Sequence, residues 1–403
     1  MNLLPTGHCA TPESGLQTGG LKPALRLALV HLACALALIG CAPGAYGSTR
    51  PLIKIGLAAP FEGLERPLGY EALQGVKLAL AQRNAAGGVA GAMVELVALN
   101  DSARPDEARL QAREFAADPA VLGVITGWSG DVAAAALPVY RQEGIAVVVP
   151  WSVPGELADP TAGVVLLAAD SRSIARALAR RVTAASRRQV AVVGETAAVQ
   201  PYLDLLGPQA KWVAPPDAPD ADAMRTWVAR LVLARPPPPE ALILVTNGAQ
   251  AGGILQALRE TSWPGPVFGG AEAGSVQLVD VAGPAADGMI FASPAPAGRD
   301  LAAASAVVPY FRKGVEWAGL PLGELGPRAL LAYDATQVLL SAIESAIQTD
   351  GKLTRAGVLR ALPAVRVRGL TGAIAFGDDG RRLGARVWAY QIEANRYPGR
   401  LVE

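Results

Sequence analysis

Histidine and cysteine are nearly absent. The 403-residue sequence holds two histidines, His8 and His31, and three cysteines, Cys9, Cys34 and Cys41. Beyond Cys41 neither residue type occurs. That excludes Ser–His–Asp and Cys–His catalysis from the bulk of the chain, His/Cys zinc sites and a disulfide scaffold. A charge excess is lacking too: 36 Lys+Arg stand against 35 Asp+Glu, a net charge of +1. This balance argues against a basic nucleic-acid binder and against an acidic tail. No Gly-x-x-x-x-Gly-Lys and no Gly-x-Gly-x-x-Gly follows a strand, so phosphate loops are missing. No loop has calcium-ligand spacing. Neither cofactor nor metal is expected, and an enzyme is the least favoured class. What is present is a 51% apolar, 18% charged chain, a globular composition long enough for two domains.

The first fifty residues read as a targeting segment. Lys22 and Arg26 precede an apolar run, Leu27 to Ile39, too short to span a bilayer, which needs about 20 such residues. A basic flank before a short apolar core is the secretory signal pattern. It ends in Leu38-Ile39-Gly40-Cys41, which resembles a bacterial lipobox. Residues 1–40 are therefore expected to be a lipoprotein signal peptide, Cys41 the lipidated residue and 41–50 a linker. An ordinary signal peptide cleaved near Ala45 is the competing reading. By resemblance to Gram-negative sorting rules, Ala42 favours the outer membrane. The expected location is the periplasm, on a lipid anchor.

From residue 51 onward, short β-rich runs alternate with longer helical stretches, which predicts α/β lobes with mostly parallel sheets. Ile53, Ile55 and Leu57 have strand periodicity, and Tyr70, Leu73, Val76 and Leu80 a helical face. Pro105 starts a helix with Asp106 and Glu107 in its first turn. Strands are predicted at 121–125, 146–149 and 164–167, and a helix at 131–143. A second βα series comes next: helix 171–185, strand 190–193, helix 227–233, strand 242–245, helix 252–260, then short strands at 267–268 and 289–292. Helices are predicted at 302–317, 328–347 and 354–361. Strands at 374–376 and 387–392 close the chain around a turn at Asp378-Asp379-Gly380.

Three loops carry candidate chemistry. Gly127-Trp128-Ser129-Gly130-Asp131 nearly forms a nucleophile elbow, but Asp131 stands where glycine is required and no histidine can act as base. Placed between a strand and a helix, Ser129 and Gly130 can instead offer free backbone N–H groups to a ligand. Ser129 or Asp131 capping its own helix is the plainer alternative. Pro150-Trp151-Ser152 comes after another strand, with Trp151 as a flat apolar wall or as loop packing. Glu272, set among glycines after a strand, suits a ligand ammonium group, or is simply a solvated loop acid.

Several stretches together resemble the type I periplasmic binding proteins, in the leucine/isoleucine/valine-binding branch. They are Ile53-Lys54-Ile55-Gly56-Leu57-Ala58-Ala59-Pro60, Asn84-Ala85-Ala86-Gly87-Gly88-Val89-Ala90-Gly91, Asn100-Asp101, Glu143-Gly144-Ile145, Phe268-Gly269-Gly270-Ala271-Glu272, 282–289 and Tyr333-Asp334-Ala335. The resemblance covers nearly all of 51–400. It implies two lobes joined by three crossings, 51–170 with 294–384 and 171–293 with 385–403, closing on a small ligand by hinge motion. It implies a monomer delivering an amino acid or related amine-bearing ligand to an inner-membrane ABC permease, without nucleic acid. It implies ligand contacts from Ser129, Gly130, Trp151, Ser152, Asn247 and Glu272, with Glu272 holding the ammonium. The chain departs from the pattern elsewhere. Gly130 replaces a carboxylate-binding serine, Val153 a ligand-binding threonine and Leu68 a cleft tyrosine. The family's aromatics near Ala198–Gln200 and Asn247 are missing, and Ala103 and Ser129 replace its disulfide. Each lost hydroxyl donor weakens a buried carboxylate site by about 1–3 kcal/mol. Asp131 with Glu272 would favour a cationic ligand. A sensing or regulatory lipoprotein of the same fold is the alternative function.

Overall fold

The computed structural model describes residues 52–185, 187–216, 220–233, 237–301 and 326–402. Cys41 with its leader, and the helix expected at 302–317, lie outside the described residues. Strand β1 (Leu52–Ala59) leads into helix α1 (Arg66–Ala85), then β2 (Met93–Asn100), α2 (Pro105–Ala117), β3 (Val121–Ile125), α3 (Gly130–Gln142), β4 (Ala146–Val149) and β5 (Val164–Leu166). The five strands form a parallel sheet in the order β2-β1-β3-β4-β5. Helices cover it, so β3, β4 and β5 are buried throughout and read as unbroken apolar runs.

The second series is α4 (Ser171–Ala184), β6 (Val190–Gly194), α5 (Thr196–Leu206), β7 (Ala210–Val213), α6 (Ala221–Val232), β8 (Ala241–Val245), α7 (Gly248–Arg259), β9 (Val267–Gly269), α8 (Val276–Ala282) and β10 (Ile290–Ser293). After it come α9 (Pro327–Asp350), α10 (Arg355–Ala361), the hairpin β11 (Arg366–Gly369) and β12 (Gly372–Ala375), then β13 (Trp388–Glu393) and β14 (Arg396–Leu401). The second sheet runs β14-β13-β10-β9-β8-β6-β7, parallel from β10 to β7, with β13 and β14 added antiparallel.

Helix α9 returns to the first sheet, packing on α1, β3 and β4. Small residues make the approach possible: a Cβ on Gly75 would stand 2.0 Å from the Ala329 carbonyl oxygen. Fully buried Asp334 ties α9 to the hairpin turn by accepting from the Leu370 and Thr371 N–H groups at 2.6 and 2.9 Å. The chain thus passes between sheets after β5, after β10 and after β12. Apolar side chains gather in one cluster on each sheet and in a third that includes α9 and runs from one sheet to the other.

Two sequence expectations change. Strands 374–376 and 387–392 do not pair around the Asp378 turn. The segment Gly372–Ala375 pairs with Arg366–Gly369, whereas Trp388–Glu393 joins the other sheet. Helices α5 and α8 and strands β7 and β14 also form where none was expected.

Candidate functional site

A cavity of about 750 Å³ opens between the two sheets. Residues just past the carboxyl ends of the parallel strands build its wall: Pro60 after β1, Asp101 after β2, Ser129 after β3, Ser152 after β4, Glu195 after β6, Asn247 after β8 and Glu272 after β9. Open α/β sheets place ligands there because the strand ends leave a crevice and the helices next in the chain aim their N-termini into it. A larger, shallower depression of about 980 Å³ lies along α6 and α7, lined by helix residues such as Met224, Arg225 and Gly253. It lacks this convergence of strand-end loops.

Ser129, Gly130, Ser152, Asn247 and Glu272 all line the cavity. Ser129 occupies the N-cap position of α3, yet its hydroxyl donates to Asp131 Oδ1 at 2.5 Å instead of capping the helix. Asn247 does cap its helix, its Oδ1 accepting from the Gln250 N–H at 2.9 Å. Ser152 is buried, and its hydroxyl has no hydrogen-bond partner among the described residues. Trp151 is placed differently. It is 1% exposed, belongs to the core and stands behind the cavity wall. Leu68 lines the cavity and Val153 is buried off it.

The Glu272 carboxyl is pushed up chiefly by burial and further by Asp131; its own backbone N–H and the charge of Arg328 oppose the rise. Tyr202 joins it on the wall. A Cβ on Gly270 would meet the Tyr202 hydroxyl at 3.2 Å and Glu272 Oε2 at 3.5 Å, so glycine leaves room for both. Burial, then the Glu272 charge, raises the Tyr202 phenol. Tyr202 supplies an aromatic one helical turn beyond Ala198, where the sequence pattern shows none; it is hidden in the sequence because α5 is.

Arg328 is the other residue that sequence reasoning missed. It opens α9, is 2% exposed and lines the cavity. Its guanidinium carbon lies 4.0 Å from the centre of the Trp151 ring, a cation–π seat. Its Nη1 reaches Gly274 O at 3.5 Å, and its Nε has no acceptor among the described residues. Glu71 is engaged with the helix end, accepting from the Arg328 and Ala329 N–H groups at 2.8 and 3.3 Å. No sequence signal short of the tertiary packing on Trp151 distinguishes Arg328 from an ordinary helix-start residue.

Asp101 completes the wall. It is fully buried, and its Oδ1 accepts from the Ala103 N–H at 2.9 Å. Burial pushes its carboxyl up to about 6 against that bond, and Asp131 adds to the rise. Among the described residues no three carboxylates come close enough to hold a metal ion, and no helix is long and apolar enough to cross a membrane.

Two α/β lobes with a cleft at their facing strand ends define a ligand-binding protein that holds its solute between lobes. A family model described as "Periplasmic binding protein" matches residues 52–396, and the chain belongs to that family, one of binding proteins rather than enzymes. A "Leu/Ile/Val-binding protein homolog 2" of Brucella abortus is 32% identical over 117 residues; the match spans 29% of this chain and 30% of that relative. The isoleucine complex of the branched-chain amino acid substrate-binding protein LivJ from Streptococcus pneumoniae superposes with a TM-score of 0.72 at 18% identity, covering 87% of this chain and 99% of that one. A fatty acid ABC transporter substrate-binding protein from Thermomonospora curvata gives 0.74 at 20% identity, covering 88% and 92%. The fold is the two-lobed type I periplasmic-binding-protein fold.

Proposed function

We propose that this chain is an extracytoplasmic solute-binding protein that captures an amino acid or similar amine-bearing ligand between its lobes and delivers it to an ABC importer. The observation that carries this reading is Glu272: a partly buried carboxylate at a strand end, on the wall of a cavity that also gathers Ser129, Gly130, Ser152 and Asn247. A buried carboxylate needs a partner, and a ligand ammonium supplies it. The small hydroxyl and backbone donors opposite suit the ligand's other end. In this reading the lobes are 51–170 with 294–384 and 171–293 with 385–403, Cys41 carries a lipid anchor, and the protein works as a periplasmic monomer. Ala42 favours anchoring in the outer membrane, and that one residue supports the second reading, a sensing or regulatory lipoprotein that does not feed a transporter.

A thermal-shift screen over amino acids, polyamines, small amides and carboxylates tests the proposal. Ligand at about 100 times its Kd stabilises the native state by about 2.7 kcal/mol. An amine-bearing hit is expected. Cooperative melting unmoved by the whole panel would defeat the solute-binding reading.

A further inference from the structure

The cavity wall is far more acidic than the protein. Overall, 36 basic residues balance 35 acidic ones. Around the cavity stand Glu65, Asp101, Asp131, Glu156, Glu195 and Glu272, against the single base Arg328. Such a wall favours a ligand with net positive charge.

Arg328 adds a requirement of opposite sign. It is a buried guanidinium whose charge acts on Glu65, Glu71 and Glu272, yet its Nε has no partner among the described residues. Glu71 is held by backbone N–H groups. The Trp151 ring fixes the guanidinium plane from one side. A planar, fixed guanidinium on a cavity wall matches a carboxylate, and Ser152, buried with an unpartnered hydroxyl, offers a further donor on the same wall.

The charged groups of the wall also act on one another. Arg328 acts on Glu272, Glu272 is acted on by Asp131, and Asp131 in turn acts on Asp101. Asp101 is fully buried, and its Oδ2 has no partner among the described residues. One cation, Arg328, and the anions Glu65, Glu272, Asp131 and Asp101 thus line one cavity with their charges acting on one another.

Resting on the solute-binding reading above, we propose that the cleft selects a basic amino acid: Arg328 takes its carboxylate, Glu272 its α-ammonium, and Asp131 with Asp101 the cationic end of its side chain. Both charge patterns of the wall are then matched by one ligand. A branched-chain amino acid would leave the Asp131–Asp101 end facing an apolar side chain, setting the buried Asp101 carboxylate against hydrocarbon. A diamine without a carboxylate would leave Arg328 unpaired.

Calorimetric titration of the full chain with lysine, ornithine, leucine and cadaverine tests this, using wild type and Asp131→Asn. Lysine or ornithine is expected to bind at least about tenfold more tightly than leucine and than cadaverine. Asp131→Asn is expected to narrow the lysine-to-leucine ratio about tenfold. Leucine binding as tightly as lysine would overturn the basic-ligand inference and leave the solute-binding function standing. Cadaverine equal to lysine would remove the carboxylate role of Arg328, with no need of a variant at that buried position. An unchanged ratio in Asp131→Asn would remove the distal cation site. Absence of binding by all four ligands would overturn the inference, and the broader screen then decides the function separately.

Discussion

Asp101 gives the sharpest quantitative test of the cleft's electrostatics. Burial raises its carboxyl from 3.8 to about 6, with Asp131 contributing in the same direction. A carboxyl raised in the native state binds its proton more tightly folded than unfolded. Its contribution to stability is therefore full below about pH 4 and is lost as pH climbs through about 6. A shift of about two units corresponds to about 3 kcal/mol, at about 1.4 kcal/mol per unit. Because Asp101 is fully buried, solvent screening does not erode this value as it does at the surface. Asp101→Asn retains an Oδ1 to accept from the Ala103 N–H and carries no ionisable proton. Urea unfolding of wild type and variant from pH 4 to 7.5 isolates the group, since every other carboxyl titrates in both proteins. The variant's stability should gain on wild type by about 3 kcal/mol between pH 4 and 7. Parallel stability curves would refute the argument that Asp101 is held ionised at a cost in the unliganded cleft.

Three further outcomes are expected. Glu272→Gln should weaken binding of an amine-bearing ligand about 10- to 100-fold while the fold persists, since a charge-assisted hydrogen bond in a buried site is worth about 1.5–3 kcal/mol; near-normal affinity by calorimetry would take Glu272 out of the site. Trp151→Ala should lower stability by about 3–5 kcal/mol, because the indole is a core side chain and the seat of Arg328; a variant that loses ligand binding at unchanged melting temperature would instead make Trp151 a direct ligand contact. Gly75→Ala should destabilise, because the new Cβ would fall 2.0 Å from the Ala329 carbonyl oxygen at the α1–α9 contact. Helix propensity alone predicts a gain of about 1 kcal/mol from the same substitution, so the sign of the change in denaturant midpoint separates packing from propensity.

The central strands were legible in the sequence because they are buried on both faces and read as apolar runs, as at Val121–Ile125 and Ala146–Val149, whereas the half-exposed edge strands β7 and β14 were not. Helix Thr196–Leu206 was not, because its buried stripe of Val199, Tyr202 and Leu206 is short and crosses Pro201, which reads as a breaker. The Ile374 and Val387 strands were legible as strands but not as partners. Sequence proximity suggested a hairpin, while the return of the chain between lobes sends them to different sheets. In the site, Ser129, Ser152 and Glu272 could be found because each comes just after a recognisable strand, and strand ends are where α/β ligands sit. Trp151 passed the same test and still stands behind the cavity wall, since local position does not say which way an indole turns.

Arg328 shows where that reasoning ends. It lies 177 positions from Trp151 and 56 from Glu272 in the sequence, and nothing in its neighbours marks it as more than a helix-start residue. Its role depends on α9 folding back onto α1, on Glu71 capping the helix end, and on Trp151 being turned inward to receive it. Reading the departures from the family's pattern one residue at a time suggested a carboxylate end stripped of its hydroxyl donors. The assembled cleft supplies a different donor from a different element. In the proposed reading, Arg328 stands in for the hydroxyls missing at Gly130 and Val153: a single buried guanidinium on the cavity wall takes the place of discrete neutral donors.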